Sequence, residues 1–206
     1  MRTLFATRLL AGTTLVVCMA AGGVTSGQAP LAIASGRVTL AGTSNVHAYT
    51  ATTTTVRVMA ARIGVVPGGA TLWEHALDLG VIETFEIAIP AATLASPKGD
   101  LDKNMHKALK VEQFPEITFR LVRFDTKAEA AGAARAIGML KIAGVEREVA
   151  LAVTTKRAGA TLTVQGSLDL LMTDYGVTPP KAMLGMLKTD PKVTVTFETV
   201  LAIPTT

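Results

Sequence analysis

Apolar and polar residues alternate with a period of two wherever the chain is regular. In TLTVQGSLDLL, Leu162, Val164, Gly166, Leu168 and Leu170 fall on one face, and Thr161, Thr163, Gln165, Ser167 and Asp169 on the other. The pattern recurs in Phe85, Ile87, Ile89; in Ile117, Phe119, Leu121; in Val149, Leu151, Val153; and in Val193, Val195, Phe197. Such alternation marks antiparallel strands with one face on an apolar interior and one in water. Further strands are expected at Arg37 to Ala41, His47 to Arg62 (rich in Thr and Val), Leu77 to Leu79 and Ala136 to Ile142. Phe124 is out of phase with Leu121, which predicts a β-bulge between them.

Two stretches break the period. In GDLDKNMHKALK, Leu101, Met105, Ala108 and Leu109 recur at helical spacing, and Met183, Leu184 and Leu187 do so behind Pro180. Gly68-Gly69, Pro97-Lys98-Gly99, Gly132 and Gly144 supply turns, and the Ala-rich piece from Lys127 to Ala134 reads as a hairpin tip. Eight or so strands with short turns and one or two short helices make the chain all-β, a sandwich or a barrel, and the pattern alone does not choose between them.

The N-terminus changes the picture of where this domain works. Arg2 and Arg8 precede an apolar run from Leu9 to Ala21, followed by small and polar residues to Ala29, the order of a cleavable secretory signal peptide. The run is 13 residues long, short of the roughly 20 needed to span a bilayer. Residues 1–29 are therefore expected to be a signal peptide, and residues 30–206 one exported domain, periplasmic or secreted. Cleavage removes Cys18, the single cysteine, so the mature chain forms no disulfide within itself. It also removes two of 20 basic residues, leaving 18 against 16 acids, a net charge near +2. The basic residues are dispersed, which points away from a nucleic-acid partner, and no later apolar stretch is long enough for an integral membrane protein.

Candidate chemistry is sparse. His47, His75 and His106 form no zinc-binding pattern, and phosphate-cradling, dinucleotide and nucleophile-elbow motifs are absent, so neither an enzyme, a metal site nor a cofactor is expected. Asp102 and His106 share a helix face, as an exposed pair does. Thr173-Asp174-Tyr175 reads as a turn before Gly176. A lipid- or quinone-modifying enzyme would need a polar cluster inside a cavity, and convergence of His47, Asp174 and Tyr175 would favour that reading. Trp73, beside His75, suits either a cavity mouth or a packed surface site.

Four ordered blocks resemble the YceI-like family of exported lipid-binding proteins. They are GTSNVHAY (42–49), DLDKNMHKALKVEQFPEITF (100–119), GMLKIAGVEREVAL (138–151) and MTDYGVTPPKAMLGMLKTDPKVTVTFE (172–198). The helical block departs from the Arg-Asp or Lys-His-Leu pattern of many relatives, and the turn at residues 65–69 does not align. The resemblance implies an eight-stranded antiparallel, lipocalin-like barrel with a helix closing one side and an elongated apolar cavity, which in some relatives holds a polyisoprenoid. The expected partner is then an apolar or amphiphilic lipid. The expected lining is Phe85, Ile87, Met105, Leu109, Phe119, Leu121, Leu140, Leu162, Val164, Val195 and Phe197, positions that serve equally as ordinary core. The alternative is a filled barrel that works as an envelope interaction or stress-response module. Whether the protein forms a homodimer is left open by the sequence.

Overall fold

The computed structural model describes residues 31–64, 82–125, 133–182 and 186–202. The expected signal peptide, Trp73, His75, the strand at residues 77–79, the turn at 65–69 and most of the Ala-rich tip lie outside them.

Among the described residues ten strands form in chain order: β1 (Ala32–Ser44), β2 (Ala48–Thr53), β3 (Arg57–Ile63), β4 (Ile82–Pro90), β5 (Glu116–Asp125), β6 (Ala133–Ile142), β7 (Val145–Ala158), β8 (Thr161–Leu171), β9 (Lys181–Ala182) and β10 (Leu187–Ala202). A single α-helix among the described residues, α1 (Gly99–Leu109), stands between β4 and β5. The sheet runs β2-β1-β10-β8-β7-β6-β5-β4-β3, each neighbour antiparallel, with the short β9 paired to the start of β10.

The two ends of that order, β2 and β3, are separated in the chain only by residues 54–56. One bent strand thus pairs with β1 in its first half and with β4 in its second, joining the two edges of the sheet. Counted so, and with the short β9 outside the closed order, the described strands make the eight expected, wound up and down in sequence order. The single strand expected from His47 to Arg62 breaks because threonine hydroxyls there compete with the ladder. Thr53 Oγ1 accepts the Thr55 N–H at 3.1 Å and donates to Thr93 Oγ1 at 2.7 Å, while Thr93 donates to the Pro90 carbonyl at 2.7 Å. Thr52 instead bonds the backbone of Ala95 in both directions, at 2.8 and 3.1 Å, so the segment after β4 fills the seam that β2 leaves open.

Chain direction defines the two ends of the barrel. The chain leaves β4, β6 and β8 at one end, which carries α1, the tight β6–β7 turn and the segment between β8 and β10. At that turn Ala143 (φ 47°) and Gly144 (φ 85°) both adopt positive φ, as a two-residue hairpin with right-twisted strands requires. The opposite end is plugged. Leu31, Leu162 and Leu201 pack there with Phe85 and Val164, next to Leu121, Ala134, Ala136 and Val153.

The bulge expected beyond Leu121 is present as a register shift between Leu121 and Arg123. Of the second expected helix, behind Pro180, Met183 and Leu184 lie outside the described residues, and Leu187 stands in a strand. Residues 181–182 and 187–188 are strands that pair with each other, Ala182 with Leu187 and Lys181 with Lys188. At Leu187 pairing within the sheet outweighs the short helical spacing.

Candidate functional site: a helix-capped apolar cavity

The inward faces of the strands and the apolar stripe of α1 enclose a cavity of about 190 Å³ in the α1 half of the barrel. The helix forms where the spacing predicts it. Asp100 and Asp102 stand in its first turn and His106 and Lys107 in its last, each complementing the helix dipole, and Lys110 ends it in the left-handed conformation (φ 54°). Leu101, Met105, Ala108 and Leu109 all face the cavity.

Asp102 and His106 do share a face, but each bonds the segment after β4 rather than serving as a free surface pair. Asp102 accepts the Ser96 N–H at 2.7 Å, and the His106 Nε2–H donates to the Leu94 carbonyl at 2.8 Å. Hydrogen bonding to Ser96 holds the Asp102 carboxyl below its ordinary pKa. These bonds moor the helix to the strand segment that seals the seam.

Seven of the expected lining residues stand on the cavity wall: Ile87, Met105, Leu109, Phe119, Leu140, Val195 and Phe197. The other four do not. Phe85, Leu121, Leu162 and Val164 belong to the plug, because they sit on the halves of β4, β5 and β8 farther from the helix. Their places on the wall are taken by Ile89, Ile117, Leu168 and Leu170, two or more steps of the same alternation nearer α1, together with Val38, Leu40, Ile142 and Val193.

Phe119 and Phe197 touch both the cavity and the plug and so form its floor. Glycines leave the room their rings occupy. A Cβ on Gly138 would come within 2.5 Å of the Phe119 ring, and one on Gly166 within 2.7 Å of Phe197. Gly42 makes the same allowance for Tyr49 at the α1 end. Glycine within a strand commonly marks such a close approach.

No charged side chain lines the wall among the described residues; its polar members are Tyr49, Tyr175, Thr189 and Thr199. Tyr175 ends a 3₁₀ turn (Met172–Tyr175) that Gly176 closes at φ 63°, as the sequence suggested, with backbone bonds from Gly176 to Thr173 and Val177 to Met172. Asp174 beside it is exposed, whereas Tyr175 is 3% exposed. His47 is exposed in the β1–β2 turn, and no hydrogen bond links His47, Asp174 and Tyr175. Among the described residues no group of three potential metal ligands occurs, and no helix is long and apolar enough to cross a membrane.

Burial raises the phenol pKa of both tyrosines, helped at Tyr49 by the Asp190 charge; at Tyr175 Arg147 opposes the shift and Asp174 adds to it. The chain holds two tyrosines in all. Alkaline titration followed by phenolate absorbance is therefore expected to show both ionising above the ordinary value of about 10, later than in the same chain unfolded in urea. Because the folded pKa is the higher one, the linked stability is intact below about pH 10 and declines as pH rises through the folded value. Coincident titration curves for folded and unfolded chains would contradict the buried placement.

An up-and-down eight-stranded barrel with one plugged end and a helix-capped apolar chamber is the architecture of lipocalin-like small-molecule binding proteins. The YceI-like domain model matches residues 41–201, and the chain belongs to that family. Solved structures share the fold at low identity. A polyisoprenoid-binding domain from Saccharophagus degradans, described as implicated in plant cell wall breakdown, superimposes with TM-score 0.63 at 13% identity, covering 86% of this chain and 100% of its own. BcnA of Burkholderia cenocepacia gives 0.60 at 16%, covering 81% and 96%, and the Campylobacter jejuni YceI protein 0.51 at 13%, covering 71% and 82%. The comparison with curated proteins gives no match.

Proposed function

We propose that this protein is an exported, non-enzymatic carrier that encloses the apolar tail of an amphiphile, isoprenoid-like in character, in the chamber between α1 and the Phe119–Phe197 floor. The observation that carries this reading is the chamber itself: an uncharged cavity bounded by aliphatic side chains and two aromatic rings, in a barrel whose other end is packed. Its wall offers burial and almost nothing else.

Burial is sufficient for such a guest. Each five-carbon unit removed from water contributes on the order of 4 kcal/mol, at roughly 0.8 kcal/mol per CH₂. Much of that is offset by the freedom a floppy chain loses. The similarity to a polyisoprenoid-binding domain supports the same class of guest. A packed interaction module, the other expectation, has no use for the space above the floor. The signal-like N-terminus supports an envelope location, where apolar chains must cross water between membranes.

Vesicles containing a labelled polyprenol test the proposal. Purified mature protein is expected to draw label into the soluble fraction in proportion to its concentration. Label that stays with the vesicles at every protein concentration would sink it.

A further inference from the structure

One seam of the barrel stops halfway. β7 and β8 pair from Ala158–Thr161 as far as Ala152–Ser167 and no farther, although both strands run on toward the α1 end. Beyond that point β7 keeps its β6 partners as far as Val145, and β8 keeps its β10 partners as far as Leu171. Each strand thus stays extended with no ladder on the side that faces the other. The β4–β5 ladder also stops short, at Glu86–Arg120, but in the plugged half, where Ile82, Phe85 and Leu121 pack together. The slot between β7 and β8 lies beside the chamber instead.

Arg147 marks the opening. It stands opposite Leu140, whose side chain lines the chamber, and cross-strand partners share a face, so in a closed wall its place would be interior. An arginine shut in there would be a buried charge among apolar groups. It is exposed instead, and its Nε–H reaches across the slot to the Asp174 carbonyl, tying down the 3₁₀ turn Met172–Tyr175. Outside lies a recess of about 390 Å³ bordered by Glu148, Ala150, Asp169 and Lys192. The residues that border both recess and chamber are Leu168, Leu170, Leu171 and Tyr175. The Tyr175 hydroxyl makes no hydrogen bond to any described residue and so adds no polar tie across this partition.

We propose that guests enter and leave the chamber sideways, through the slot between β7 and β8, with the turn Met172–Tyr175 as its shutter. The proposal rests on the carrier reading and adds the route to it. Parting the wall here breaks no β7–β8 ladder bond, and the tie it releases, from Arg147 to Asp174, is exposed, where water replaces it. The turn carries one buried side chain, Tyr175. Other routes cost more. Elsewhere around the chamber a ladder or the Thr52–Ala95 backbone bonds must be unzipped. Lifting α1 breaks the Asp102–Ser96 and His106–Leu94 bonds and uncovers both Met105 and Leu109. Leu171, 44% exposed at the rim, gives an apolar chain its first contact from outside.

The mature chain expected after cleavage contains no cysteine, so introduced pairs can be bridged selectively. Continued by two residues, the β7–β8 register sets Ala150 opposite Asp169, both exposed. The Ala150→Cys/Asp169→Cys protein is loaded with a fluorescent polyprenol, bridged with a short reducible thiol-reactive linker and mixed with empty vesicles. Bridging is expected to slow release about tenfold or more, and reduction to restore it. A Ser96→Cys/Asp102→Cys bridge, which fastens α1 at an existing contact, is expected to leave release as fast as in its own reduced form. Arg147→Ala frees the shutter and is expected to speed loading and release together, about two- to fivefold, with affinity nearly unchanged. Unslowed release from the slot-bridged protein, arrest by the α1 bridge, or an Arg147→Ala variant that loads and releases no faster would overturn the route while leaving a carrier intact. A parent that takes up no polyprenol would overturn both.

Discussion

Ala108→Trp is expected to weaken uptake of an isoprenoid chain sharply while leaving the barrel folded. Ala108 projects from α1 into the cavity between Leu101, Met105 and Leu109. An indole there takes the volume that a guest would occupy, so affinity should fall by roughly a factor of ten or more, equivalent to about 1.4 kcal/mol. The sign of the stability change carries separate information. Filling a vacant cavity commonly adds about 0.5–2 kcal/mol, whereas forcing the same ring into a packed core costs about 1–3 kcal/mol. Thermal denaturation without ligand should show an unchanged or raised midpoint. A lowered midpoint with binding retained would mean that the chamber is neither vacant nor the binding site.

Gly166→Val should produce the largest loss of stability of any single change at the cavity, on the order of 3 kcal/mol. A Cβ at this position would lie 2.6 Å from the carbonyl oxygen of Ala152 as well as 2.7 Å from the Phe197 ring. The ring can turn away, but the carbonyl is part of the β7–β8 ladder and cannot yield without breaking it. Gly138 repeats the arrangement with the carbonyl of Arg120 at 2.6 Å and the Phe119 ring. Denaturant unfolding of Gly166→Val alone and combined with Phe197→Leu apportions the two contacts. Little recovery in the double variant is expected, since trimming the ring leaves the backbone clash. Full recovery would show that only the ring matters, and wild-type stability in the single variant would contradict the close approach altogether.

The fold was legible because an antiparallel barrel writes its period into nearly every strand. The face of β8 that carries Leu162, Val164, Gly166, Leu168 and Leu170 is the inward face, as the alternation required, and α1 presents Leu101, Met105, Ala108 and Leu109 as their spacing required. What periodicity does not encode is height along the barrel. Phe85, Leu121, Leu162 and Val164 point inward as expected but fall in the plug. Chain direction held the missing signal. Because α1 joins β4 to β5, the last inward residues of β4 and the first of β5, Ile89 and Ile117, had to stand beneath the helix, with Phe85 and Leu121 farther from it.

Side-chain competition with the backbone was harder to read. The Thr-rich run from Thr50 to Thr55 has every local reason to stay extended, and only the Thr53–Thr93 contact, 40 residues apart in sequence, shows why it bends from β1 to β4. At Leu187, likewise, the short helical spacing expected behind Pro180 yields to pairing at the start of β10. Tyr175 is the converse case. Its turn was visible in Thr173-Asp174-Tyr175-Gly176, but an unpaired hydroxyl is a property of surroundings drawn from α1, β8 and β10, which no local motif reports.

Native mass spectrometry of the protein purified gently from its own envelope tests the central claim most directly. A carrier is expected to fly with a discrete mass above that of the mature polypeptide, released on denaturation as a molecule with a long apolar chain. The bare polypeptide mass alone, with no gain after incubation with polyprenyl lipids, would contradict it.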